Sequence, residues 1–177
     1  DLVPSLSNVQ KAEILAYHKV YEKYGDEFTQ KATQDLLAYP VFGRLLSQIP
    51  THVMEERNRL SRQLQKDAVL NDNWEPYIKY QVEQGIAYAK MGLDFKSWYH
   101  VVGLVRKYIT PYLFKEYGNG PDFFASFNGM NSFIDIAMGI IGEAYLEEKK
   151  EIIKEASDLL SSTFDCTADM LFVFLLC

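Results

Sequence analysis

The sequence predicts an all-α fold ending in a long C-terminal helix. Apolar residues recur at steps of three and four, and glycine and proline fall between these runs. No stretch shows the period-two alternation of a strand, and no internal repeat is visible. A single domain over 1–177 is expected, because 177 residues can bury roughly 70% of their unfolded surface around one core.

The elements follow in order. A first helix is expected from about Val9 to Tyr24, ended by Gly25, and a second from Asp26 to Leu36-Leu37-Ala38-Tyr39, before Pro40. Pro50-Thr51 precedes a polar helix, His52 to about Leu70, in which Arg and Glu interleave. Asn71-Asp72-Asn73 supplies capping side chains before Trp74-Glu75-Pro76, a good first turn because a proline there forfeits no helical hydrogen bond. Gly92 stops that helix and Asp94 caps the next. Gly118-Asn119-Gly120-Pro121 is the last turn, before the long final helix.

Two helices carry the clearest apolar stripes. One runs Trp98, Val102, Val105, Ile109, Leu113, and the other Phe127, Met130, Ile134, Ala137, Ile141, Tyr145. Each looks too wide for a single partner. They predict a homodimer joined through Val102, Val105, Ile109, Met130, Ile134 and Ile141; the alternative is that both stripes are used up within the monomer. The run Glu147-Glu148-Lys149-Lys150-Glu151 reads as a solvated helix face.

Composition narrows the function. A formal net charge of −6 argues against a nucleic-acid partner, which calls for a basic face. The apolar run from Met170 to Cys177 is far below the ~20 residues that cross a bilayer, so it is expected to be a docked helix end rather than a span. Asp1-Leu2-Val3-Pro4 shows neither a basic nor an apolar leader region, and Cys166 and Cys177 read as free thiols, so a cytoplasmic location is expected. No phosphate loop, nucleophile elbow or metal-ligand spacing is present, and the adjacent pairs Glu55-Glu56 and Glu147-Glu148 diverge on a helix. The chain is expected not to be an enzyme and to hold no metal.

The most informative stretch is Gly85-Ile86-Ala87-Tyr88-Ala89-Lys90-Met91-Gly92-Leu93, followed by Trp98-Tyr99. It resembles the proximal segment of bacterial sensor globins (the globin-coupled sensor and protoglobin group), Gly-x-x-His-x-x-Ile-Gly-Leu followed by Trp-Tyr. Phe28 to Tyr39 is similar to the family's distal helix, Tyr108-Ile109-Thr110-Pro111-Tyr112 to its proline-bearing stretch, and Asn131 to Met138 to its last helix. The likeness spans about residues 6–154, with 155–177 a C-terminal extension, and implies a globin-like fold of the sensor-globin type.

Two departures matter. Tyr88 stands where the family's haem-ligating histidine falls, and Thr33 where its distal tyrosine falls. A tyrosine can hold haem iron as phenolate if a cation keeps it deprotonated; Lys90 lies on another helix face, and the sequence shows no other candidate. His18 and His52 read as surface or capping groups, and His100 as a satisfied histidine at a buried edge or as a ligand or pH-responsive group.

The resemblance is to the haem-free subclass, which includes input domains of stress regulators and of sporulation sensor kinases, with truncated stand-alone relatives. It implies a fatty-acid-like ligand, with small anions also implicated, in a pocket formed by Thr33, Gly85, Tyr88, Trp98, Tyr99 and His100. It further implies regulation, by inhibition, of a sporulation or stress kinase through competition for signal or partner. The partner would be a related sensor histidine kinase, and the chain is expected to be free-standing. The alternatives are a haem-binding gas or redox sensor using Tyr88 or His100, and a helical dimerisation module without a ligand.

Overall fold

The computed structural model describes residues 4–175, with side chains through residue 161. Cys166, Cys177 and the apolar run from Met170 lie outside the residues whose side chains are described. Six helices and no strand make up the described residues: α1 (Asn8–Ala38), α2 (Pro40–Leu46), α3 (Thr51–Asn71), α4 (Trp74–Lys90), α5 (Phe95–Tyr117) and α6 (Pro121–Leu175). The fold is all-α. No described helix is long and apolar enough to cross a membrane.

Local signals explain most boundaries. Ser7 and Gln10 form a reciprocal capping box at the start of α1, with Gln10 N–H donating to Ser7 Oγ at 3.3 Å and Ser7 N–H to Gln10 Oε1 at 3.0 Å. The expected break at Gly25 does not occur, and α1 runs through it for 31 residues. An interior glycine costs about 1 kcal/mol relative to alanine, and the burial of Tyr24 and Phe28 beside it outweighs that cost. The Arg62 guanidinium also packs over the glycine, its Cζ 3.4 Å from where a Cβ would stand.

Asn71-Asp72-Asn73 works differently from a simple N-cap. Asp72 closes α3 in the left-handed region (φ 54°), and its carboxylate accepts from Trp74 Nε1 at 3.0 Å and Lys11 Nζ at 2.6 Å. Asp94 caps α5 as expected, accepting from the Ser97 N–H at 2.9 Å and its hydroxyl at 2.7 Å. Pro111 lies inside α5, where it removes one ladder donor, while Thr110 Oγ1 donates to the Arg106 carbonyl at 2.6 Å.

α6 packs most extensively on α4 and α1. Two glycines permit those crossings: a Cβ on Gly129 would stand 1.9 Å from the Glu13 carbonyl oxygen of α1, and one on Gly85 2.5 Å from the Ile141 carbonyl oxygen. The main core joins α1, α3, α4, α5 and α6 around Met130, Ile109 and Leu113, each fully buried, with Phe133 set among Tyr17, Trp74 and Tyr77. A smaller cluster of Phe42, Leu93 and Trp98, flanked by Tyr88 and Val101, connects α2 to α4 and α5.

This packing corrects the expected dimer stripe. Val102, Ile109, Met130 and Ile134 are buried in the chain's own core, Val105 packs against that core, and Ile141 packs against the smaller cluster. A stripe that meets several helices of its own chain looks in sequence the same as one that meets a second copy. What α5 and α6 leave outward is a different face. It carries Tyr99, Gly103 and Phe114 on α5 and Phe124 and Gly139 on α6, with Arg106 tying the two helices through Asn131 at 3.1 Å.

Candidate functional site

One stripe of α3 reads Met54, Asn58, Ser61, Gln65, Ala68, where a packed helix would carry leucines; Gln65 and Ala68 are buried and Asn58 is exposed. Short and polar side chains there leave the space between α3 and α4 unfilled. A chamber of about 320 Å³ opens between them, closed on one side by Phe42, Leu45 and Leu46 of α2 and on another by Trp98 and Val101 of α5. Thr33, Arg57, Asn58, Ser61, Gln81 and Gln84 give it a polar side. A second, inner chamber of about 210 Å³ lies between α1, α5 and α6, with buried Phe28, Val102, Phe133 and Ile134 and half-buried Val105 and Ala137 among its lining. Tyr88, Trp98 and Val101 line both chambers.

The chambers differ in chemistry. The outer one holds the only cationic lining group of the pair, Arg57. This residue is exposed at the mouth, and the Tyr80 hydroxyl donates to its carbonyl at 3.4 Å. The inner chamber has an apolar wall apart from Gln65 and the tyrosines Tyr17, Tyr21 and Tyr88. Burial pushes the Tyr88 phenol above its ordinary value, Tyr80 adds to this, and Arg57 offsets it only in part. Tyr88 therefore stays a neutral phenol at physiological pH. Its hydroxyl makes no hydrogen bond among the described residues. Compared with known proteins, the chain matches no family model, no curated relative and no solved structure.

Of the six residues expected at the pocket, the structure brings three together: Thr33, Tyr88 and Trp98 all line the outer chamber. The other three lie elsewhere. Tyr99 is 52% exposed and stacks on Phe95 at 6.4 Å on the outer face of α5. His100 packs its ring 4.3 Å from Tyr39, outside the lining of both chambers, and its Nε2 has no partner among the described residues. Gly85 is a helix-crossing residue against α6. The reason for Tyr99 and His100 is rotational: they follow Trp98 on α5 by one and two residues, roughly 100° and 200° of helical turn, and so point along other faces.

The sequence reading missed Arg57, Asn58, Ser61 and Gln84. For Asn58 and Ser61 the signal was present as small polar groups along one stripe of the polar helix α3; Arg57 and Gln84 carried none. It also missed the cation near Tyr88, because Arg57 comes from a different helix.

His18 corrects another expectation. It is not a surface group but only 1% exposed, with Nδ1 3.4 Å from the Gln65 amide nitrogen, and with Nε2 making no hydrogen bond among the described residues and lying 3.9 Å from Glu22. Burial lowers its pKa, with Lys66 acting in the same direction and Glu22 against it. His18 borders a third space, an open groove of about 790 Å³ between α1 and α3. That groove is larger than either chamber, but its walls carry charges of both signs. The chain's own ion pairs cross it, Lys66–Glu22 at 2.7 Å and Arg62–Asp26 at 2.5 Å. Apart from Tyr21 and Met54 its lining residues are charged or polar, so what apolar surface it has comes mainly from their stems. His52 is exposed, and no histidine lines either inner chamber.

Proposed function

We propose that the chain is a haem-free sensor domain of the sensor-globin type that takes a single-chain amphiphile, of the fatty-acid class, into the two chambers. The observation that carries this reading is the pairing of an outer chamber whose polar side bears Arg57 with an apolar inner one, the two sharing Tyr88 as a wall. An anionic head group would sit against Arg57, Asn58 and Ser61, and the tail would run inward past Tyr88. Burying ten methylenes favours binding by about 8 kcal/mol before ordering costs. The outer chamber alone lies within the ~300–1,000 Å³ range of ligand pockets.

The donor set favours this over the haem reading. His100 faces Tyr39 and no histidine lines either chamber, so no imidazole is presented to a haem iron there. Hemin titration should accordingly give no stoichiometric Soret band, and a sharp one would reverse the choice.

Signalling would follow from occupancy, with the domain restraining a related sensor histidine kinase in the cytoplasm by competing for signal or partner. Assembly as a homodimer remains part of the reading, moved to the outward α5–α6 face that carries Gly103 and Gly139. At micromolar concentration, sedimentation should report about twice the chain mass, and Gly139→Glu should shift it to the monomer.

The deciding experiment is thermal melting with saturated carboxylic acids and with alcohols of equal length. Ligand at a hundred times its Kd adds about 2.7 kcal/mol, which raises Tm by about 5–10 °C for a domain of this size. Acids should exceed alcohols, and Arg57→Gln should remove the difference. A flat response to every chain would leave a ligand-free helical interaction module as the better reading.

A further inference from the structure

We infer that Tyr88 is the specificity-determining partition of this pocket: its ring divides the two chambers and sets how long a chain the protein accepts. The inference rests on the amphiphile reading above, and goes beyond it by naming the residue that measures the ligand.

Three side chains border both chambers, and they are not equivalent. Trp98 is 4% exposed, belongs to the small cluster with Phe42 and Leu93, and packs against the Phe95 ring at 5.4 Å. Val101 is short and branched at Cβ, so its one torsion is stiff. Tyr88 alone is both long and unanchored at its far end, since its hydroxyl has no partner among the described residues. Its backbone, in contrast, is fixed: the Leu93 N–H donates to the Tyr88 carbonyl at 3.1 Å in the turn that closes α4. A ring on a fixed stem with a free tip can swing about its side-chain torsions without disturbing the helix. The space behind it is finite, about 210 Å³, with Phe133, Ile134 and Ala137 among its walls.

A tail that reaches Tyr88 must displace its ring to gain the inner chamber. Chains that stop short fill the outer chamber only. Longer ones gain about four-fold in affinity for each further methylene that finds space, until Ala137 and its neighbours stop them. The Tyr88 ring takes part of that space itself, so its removal lengthens the accepted chain.

The test is a melting and calorimetric series with saturated straight-chain acids, octanoic to octadecanoic, below their micelle concentrations. Wild-type protein should show a length optimum. Tyr88→Ala should move that optimum up by about two methylenes, a gain of about ten-fold or more for the longer acids. Tyr88→Phe, which keeps the ring, should leave the optimum in place. Ala137→Phe, which fills the inner chamber, should shorten it. Should either truncation or filling fail to give a cooperative melt, Tyr88→Leu and Ala137→Leu make the same comparison with smaller changes. An optimum that does not move in the Tyr88 truncation overturns the partition and leaves the amphiphile reading intact. An equal shift in Tyr88→Phe assigns the effect to the hydroxyl and also overturns it. A wild-type series with no optimum removes the pocket reading itself.

Discussion

The two halves of this molecule are both helical and are packed to different ends. Where α1, α5 and α6 meet, Ile109, Leu113 and Met130 are sealed from solvent and Gly129 lets backbones touch. Around α2, α3 and the end of α4, the core reduces to Phe42, Leu93 and Trp98; the outer chamber remains beside them, and the inner one borders the main core at Phe28, Val102 and Phe133. The difference originates on α3. Asn58, Ser61 and Gln65 occupy positions where leucines would fill the space. A filled region supplies stability, while a region left hollow loses contact energy and gains room for a ligand.

The largest test of that contrast is truncation on each side. Met130→Ala should cost about 2–5 kcal/mol, because its neighbours cannot collapse onto the space. Val101→Ala, whose side chain already faces a hollow, should cost about 1 kcal/mol. Urea unfolding midpoints compare them, and equal losses would mean that the chambers are closed in solution.

Adding volume reverses the logic. Gly129→Ala drives a Cβ into the Glu13 carbonyl and should destabilise by about 1–3 kcal/mol or more. Gly139→Ala meets open space and should stabilise by about 0.5–1 kcal/mol through helix propensity. Thermal melts of the two variants should move in opposite directions.

A smaller effect tests the end of α5 that carries Trp98. Asp94→Ala removes the only side-chain cap of that helix and should cost about 1 kcal/mol. Asp94→Asn should recover most of it, because the amide oxygen still accepts from Ser97. Chemical denaturation of the pair measures both.

The smallest effect lies on the border between the halves, at His18. Its folded pKa is depressed by burial, so the unfolded state binds the proton more readily. The contribution of His18 to stability is therefore fully present above the unfolded value of about 6.5 and declines as pH falls through it toward the folded value. Urea midpoints measured between about pH 5 and 8 should fall on the acid side in wild type. His18→Gln should flatten that slope. An unchanged slope would place the titration elsewhere.

Much of the fold was legible because its signals are local. Asp94 before Phe95, Gly92 after Lys90 and Pro121 after Gly120 act within one turn of backbone, so their effect can be read without knowing what packs nearby. Gly25 misled because a helix breaker is weak, about 1 kcal/mol, against the burial of Tyr24 and Phe28. His18 misled for a related reason: a single polar side chain on a mixed face carries no sign of which neighbour will cover it.

The pocket was legible in part. Tyr88, Trp98 and Thr33 converge as expected, whereas Tyr99 and His100, adjacent to Trp98 in sequence, turn away from it. Composition and the three-four period determined by themselves that this chain would be helical and where most helices would start and stop. Only the tertiary structure decided that the α5 and α6 stripes would close on their own chain, and that Arg57 would stand near Tyr88. Helix formation depends on contacts a few residues apart, which sequence records directly. Which faces meet, and which are left hollow, depends on the crossing of helices brought together from distant segments, such as Gly129 over Glu13.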